Sequence, residues 1–153
     1  RISQILIARR DYDRALTMLE SVESTYGNLS DEQKLDVLNL KAKIARGQGN
    51  NELAIETLES IIKQDGLNGD ALIELASIYA AQEKFEEAAL KLEMAQKIEG
   101  FEYKALVQHG RMLVTQKQFT EAIPYLKKAL NYQDDPRLAE YLAKVERAAR
   151  NSG

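Results

Sequence analysis

Few side chains in this sequence are of types that carry chemistry. His109 is the single histidine among 153 residues, and cysteine is absent. That excludes a disulfide scaffold, a cysteine-based zinc site, a thiol nucleophile, a c-type haem motif and any metal site needing two histidines. His109 reads as a buried imidazole hydrogen-bonded to a neighbour. A pH switch is a second role open to it, since an unperturbed histidine titrates at about pH 6.5. Glu83, Glu86 and Glu87 look like a paired acid set. They cluster at the start of a predicted helix, where negative charge favours the helix dipole, and read as a solvated face. Asn28-Leu29-Ser30 matches the N-glycosylation sequon, which matters only in a secreted eukaryotic chain. None of the GxxxxGK[ST], GxGxxG or GxSxG motifs occurs. No acid, base and nucleophile converge, so the expectation is no enzyme: no catalytic residue, no cofactor and no metal.

Composition supports a folded chain: 44% hydrophobic and 29% charged residues suffice for a core in one domain over 1–153. The net charge is −3, and residues 69–102 hold eight acids against three bases. Nucleic acid requires a contiguous basic surface, so none is expected as a partner. No apolar run approaches the roughly 18 residues a membrane span needs, so direct membrane insertion is not expected. No leader pattern follows Arg1, and the chain is expected to be soluble, in a compartment the sequence does not assign. The missing start Met suggests a piece of a longer chain. Ile2, Ile5, Leu6 and Ile7 would pack against Tyr12–Val22 with no unit before them, so further repeats or another domain are expected upstream.

The elements that position these residues emerge from a period of 34. Residues 38–61, 72–95 and 106–129 align without a gap. Leu38, Leu72 and Leu106 share a column; so do Ala42, Ala76 and Gly110; Ala54, Ala88 and Ala122; Leu58, Leu92 and Leu126; and Ile61, Ala95 and Ala129. Phe85 and Phe119 share a column with the polar Asn51. Upstream, Tyr12, Ala15, Leu19 and Val22 match the second half of the pattern, offset by five extra residues around Tyr26–Ser30. Leu72, Leu75, Ala76 and Tyr79 fall at i, i+3, i+4 and i+7, one face of a helix, and Phe85, Ala88, Leu92 and Ala95 repeat that spacing. The short connection between them folds the two helices into an antiparallel hairpin. One hairpin cannot cover its own apolar faces; stacking on the next does.

These columns resemble the tetratricopeptide repeat (TPR) family. The Leu–Ala/Gly–Tyr/Leu spacing of the first helix and the aromatic–Ala–Leu–Ala spacing of the second match that motif over roughly residues 1–134. The resemblance implies an all-α, right-handed solenoid of antiparallel helix hairpins. It comprises a truncated repeat at about 1–30, full repeats at about 35–68, 69–102 and 103–135, and a capping helix at 136–150. The departures are Leu at the first-helix Trp position, Gly66, Gly100 or Asp134 where a Pro often ends a unit, and Lys41 and His109 in the column of Leu75. Caps agree with the reading. Ser30-Asp-Glu-Gln33 forms a capping box, Gly66 and Gly100 end second helices, and Asp135-Pro136 opens the last helix. Pro124, early in a second helix, predicts a slight bend and no break. Tyr12, Tyr79 and Tyr141 are expected in the core.

The resemblance also implies that first helices line a concave groove. One stripe of each would face it: Asn39, Lys43 and Arg46; Ile73, Ser77 and Ala80; Val107, Arg111 and Val114, with Lys104 at the rim. The expected function is a protein-interaction scaffold that binds a peptide or helix with an apolar anchor and acidic flanks. The alternative is a structural spacer or assembly module supporting a catalytic or membrane-associated domain elsewhere. An RNA-binding pentatricopeptide-type repeat is opposed by the strict period of 34 and the acidic balance. One subgroup of the family grips chaperone C-terminal carboxylates with Lys, Asn and Arg side chains. The matching positions here hold Asn39, Lys43, Glu74, Lys104 and Gln108, and only Lys104 fits, so that ligand is not expected.

Overall fold

Each connection between the helices carries its own stop signal. The computed structural model describes residues 5, 7 and 10–153; the expectations for Ile2 and Leu6 lie outside them. Among the described residues the chain is helical, with eight assigned helices and no strand. They are α1 (Tyr12–Thr25), α2 (Asp31–Gln48), α3 (Asn51–Gln64), α4 (Gly69–Ala81), α5 (Phe85–Ala95), α6 (Glu102–Thr115), α7 (Phe119–Tyr132) and α8 (Pro136–Asn151). They divide into two compact units, 1–71 and 72–153.

In the first unit, α1 packs on α2 and α2 on α3. The capping box is formed: the Gln33 backbone N–H donates to Ser30 Oγ at 3.2 Å, and the Ser30 N–H donates to Gln33 Oε1 at 2.9 Å. Both donors are orphans of a helix start, so the pair offsets the cost of leaving them unbonded. Ser30→Ala is expected to lower the unfolding free energy by about 0.5–2 kcal/mol. A urea midpoint that does not move would rule the cap out as a stabilising element. Asn50 caps α3 by accepting from the Leu53 N–H. Ala15, Leu19 and Ile44 form a buried cluster, with Ile7, Tyr12, Leu16 and Leu40 against it. Gly47 is needed there, because a Cβ at that position would run into the Tyr12 ring.

In the second unit, α5 packs on α6, α6 on α7 and α7 on α8. Leu106, Ala122, Leu126, Ala129, Leu138, Leu142 and Val145 form one buried cluster. It holds four repeat columns together with the apolar face of α8. Asp135 caps α8 by accepting from the Arg137 and Leu138 N–H groups, with Pro136 opening the helix. Pro124 sits inside α7, which runs through it unbroken.

The repeat columns are core in both units. Ala42, Ala54, Leu58, Ile61, Leu72, Ala76, Ala88, Leu92, Ala95, Leu106, Ala122, Leu126 and Ala129 are all buried, and Leu38 is half-buried. Gly100 takes a φ of 89°. Gly66 does not enter the left-handed region, contrary to its expected role. Helix α3 instead ends through Asp65, whose N–H bonds the Ile61 carbonyl and whose carboxylate accepts from the Leu67 N–H. The left-handed position that recurs lies in the hairpin turns: Gly49 at φ 70°, and Glu83 and Lys117 at φ 60°. Those three are 34 residues apart. Only one is glycine, which is why composition alone does not mark them.

Candidate functional site

Helix α6 presents two faces. Its buried face carries Ala105, Leu106, His109, Gly110 and Met112. On the other side, Lys104 and Arg111 are exposed, with Val107 half-buried between them. Seven helical residues span about 10.5 Å, so Lys104 and Arg111 stand two turns apart on one stripe. Together with Ser77 and Ala80 of α4, and with Gln108, Met112 and Thr115, they line a recess of about 370 Å³.

Five of the expected groove residues therefore meet at one place: Ser77, Ala80, Lys104, Val107 and Arg111. Val114 is half-buried and packs on the cluster that holds α8. Ile73 departs from the expectation of an exposed apolar anchor beside Val107. It is only 4% exposed and belongs to the core, and its carbonyl accepts a 3.2 Å hydrogen bond from the Gln108 amide. In the other unit, Asn39, Lys43 and Arg46 are exposed along α2, at the i, i+4, i+7 spacing of one helix face.

Two contacts at the far end of this site were not readable from the columns. The Arg111 guanidinium carbon lies 5.6 Å from the centre of the Tyr141 ring, a cation–π contact with α8. The Tyr103 hydroxyl donates a 2.6 Å hydrogen bond to Asp135 Oδ2. That bond holds the Asp135 carboxyl below its ordinary pKa, helped by the Leu138 and Arg137 N–H groups, and pushes the Tyr103 hydroxyl above its own. The carboxylate is thus committed within the protein. The sequence signal for both contacts is faint: Asp135-Pro136 marks a cap, and nothing in the spacing of Tyr103 and Tyr141 marks a partner.

His109 is 3% exposed. Its Nδ1 lies 3.1 Å from Gln96 Nε2, and its ring packs 4.1 Å from that of Tyr125 at an angle of 32°. Burial holds its pKa below the ordinary value, against an opposing pull from Glu93. The neutral ring accepts the Gln96 amide proton at Nδ1, which leaves its own proton on Nε2. Glu83, Glu86 and Glu87 are exposed around the start of α5. Among the described residues, no group of three His, Cys, Asp or Glu is placed to hold a metal, and no helix is long and apolar enough to cross a membrane.

Comparison with known proteins defines the class. Tetratricopeptide-repeat family models match residues 39–101 and 103–136. The fold matches that of the N-terminal domain of stress-induced protein-1 from C. elegans, with a TM-score of 0.69 and 20% identity, covering 78% of this chain and 99% of that one. Pseudomonas aeruginosa pilF gives a TM-score of 0.77 at 18% identity over 98% of this chain and 67% of that chain. The TPR protein YrrB gives 0.72 at 16% identity, over 93% and 71%. No curated protein matches the chain. The chain belongs to the tetratricopeptide repeat family. It is an all-α helical-repeat protein of the solenoid class, and its repeats give it the role of a protein–protein interaction scaffold. Proteins built of these repeats are generally non-catalytic.

Proposed function

We propose that the protein binds a peptide or a short helix of its partner on the exposed faces of its first helices, with the α4–α6 recess as the principal contact. The observation that carries this reading is the convergence of Ser77, Ala80, Lys104, Val107 and Arg111 on one recess. Its lining combines the apolar Ala80, Val107 and Met112 with the cations Lys104 and Arg111 and the polar Ser77, Gln108 and Thr115. That pairing favours a segment that sets one apolar side chain between polar or acidic ones. Asn39, Lys43 and Arg46 offer a separate contacting face on α2. YrrB, similar in fold, is a TPR protein with an unusual peptide-binding site, which lends support by analogy.

The test fills the recess without altering charge. Ala80 lines it and is half-buried, so Ala80→Trp adds bulk where a ligand would lie. Wild-type and variant chains are used as bait in the source cell extract and the captured proteins are quantified. The variant is expected to lose specific partners while its thermal midpoint stays within a few degrees of wild type. An unchanged set of partners would sink the reading and favour a spacer that recognises nothing through this face.

A further inference from the structure

Helix α5 carries an exposed apolar pair that its repeat position does not call for. Leu90 is 56% exposed and Met94 38%, one turn apart on the face opposite the buried Ala88, Leu92 and Ala95. The repeat supplies its own control. In the other units the Leu90 column holds Thr17, Glu56 and Pro124, and the Met94 column holds Ser21, Ser60 and Lys128. In no other unit are both positions apolar, so the hairpin does not need them. Single exposed apolar residues are ordinary, whereas adjoining ones are a feature of contact surfaces. Glu86, Glu87 and Glu93 surround the pair, three or four residues from Leu90, and all are exposed. Lys91 lies to one side of this face, and Lys97 lies beyond the end of the helix.

Helix α8 presents a complementary face, opposite its own buried Leu138, Leu142 and Val145. Ala139 and Ala143 are exposed there, also one turn apart, and the exposed Arg147 and Arg150 follow them toward the end of the helix. Glu140 on this face is held by Lys144 at 3.1 Å. Among the described residues, Glu86, Glu87, Arg147 and Arg150 make no ion pair within the chain. Laid antiparallel, the two helices come into register: Leu90 opposite Ala143, Met94 opposite Ala139, and Glu86 opposite Arg147. Large side chains then meet small ones, which lets the helices approach closely. The acidic start of α5 meets the basic end of α8, and Glu93 falls beside Glu140, whose charge Lys144 offsets. Within one chain α6 and α7 stand between these helices in the packing order, so the match is open only to another copy.

We infer that a second copy of this chain docks on α5: its α8 packs antiparallel against Leu90 and Met94, and Glu86 pairs with Arg147 of the partner subunit. The inference is independent of the α4–α6 recess. Two helix faces bury less than a standard interface, so the association is weak, and its charges make it sensitive to salt.

The experiment is sedimentation velocity of the 153-residue chain from about 10 µM to about 1 mM, the range that populates contacts below standard size. The weight-average mass of wild type is expected to rise with concentration, and to rise less in about 0.5 M salt, where charges are screened. Leu90→Ser, Met94→Ser, Glu86→Arg and Arg147→Glu are each expected to weaken association by about tenfold. Their thermal midpoints are expected to stay within a few degrees of wild type, because all four side chains are exposed. The double variant Glu86→Arg with Arg147→Glu exchanges the signs of the pair and is expected to recover association to within about threefold of wild type. Ala80→Trp is expected to associate as wild type does. A mass fixed at that of one chain across the range would overturn the inference. So would association that survives both serine variants, or that is lost in Ala80→Trp. Loss in Glu86→Arg but not in Arg147→Glu would show that another basic surface covers α5 and would overturn the choice of occupant. A double variant no better than its single parents would overturn the antiparallel pairing.

Discussion

Leu126→Ala is expected to lower the unfolding free energy by about 2–5 kcal/mol, the cost of a large apolar side chain removed from a core that cannot fully collapse. Leu126 is 0% exposed and sits in the cluster that joins α6, α7 and α8. Its branched end faces Gly110: a Cβ built on that glycine would lie 2.6 Å from Leu126 Cδ2. Gly110 therefore takes its place in the Ala42–Ala76 column because Leu126 occupies the space of the missing methyl. The two positions should be coupled. Gly110→Ala alone gains about 1 kcal/mol of helix propensity and loses a comparable or larger amount to overpacking. In the Leu126→Ala background the leucine atoms that crowd the added methyl are gone, the Ala122 carbonyl oxygen at 3.5 Å is an ordinary contact, and the propensity gain stands by itself. The double variant is thus expected to be more stable than Leu126→Ala alone by about 1 kcal/mol, measured as urea unfolding with the slope checked for two-state behaviour. Strict additivity of the two substitutions would show that the glycine and the leucine do not share the space.

That coupling also shows what the sequence makes legible. Periodicity requires only that the same columns face inward in each unit. Thirty-four-residue spacing therefore exposes Ala54, Leu58, Ile61 and their counterparts as core, and they are buried. It cannot say how a departure is satisfied, because the compensating residue comes from another element. Lys41 and His109 both stand where Leu75 stands in the middle repeat. Each has found a different partner: Lys41 Nζ lies 2.6 Å from the Glu23 carboxylate on α1, and His109 meets Gln96 just beyond α5. Both partners lie in the helix or turn before, at sequence separations of 18 and 13, so neither follows from a local pattern. Ile73 is the converse case. It lies on the stripe that the family resemblance directs toward the groove, yet it is buried, since a stripe is read in one dimension and burial depends on what covers it. Tyr141 was legible as an aromatic on the inner face of α8; its second role, under Arg111, needed the packing of α8 against the cluster.

Acidification is expected to destabilise the protein through His109. Burial lowers its folded-state pKa, while in the unfolded chain the imidazole titrates at about 6.5. Between the folded value and 6.5 the unfolded chain binds the extra proton, so stability falls as pH falls through that window. The contribution is fully present above 6.5 and lost below the folded pKa. One proton sets an upper limit of about 1.4 kcal/mol per pH unit for this loss. The structural reason is specific. Protonation places a second donor at Nδ1 opposite the Gln96 amide nitrogen, so the 3.1 Å contact becomes donor against donor until the amide turns over. It also puts a charge beside the Tyr125 ring on a side chain that is itself buried. Exposed carboxylates add a slope of their own at lower pH, so the measurement is a difference. Urea midpoints are taken from pH 7.5 to pH 5 for wild type and for His109→Leu, which restores the residue found at Leu75. The variant is expected to lose the portion of the slope just below pH 6.5. His109→Gln, neutral and able to bond Gln96, is expected to behave alike, which separates titration from packing. Parallel profiles for all three chains would mean that the imidazole carries no pH dependence and that its burial is structurally silent.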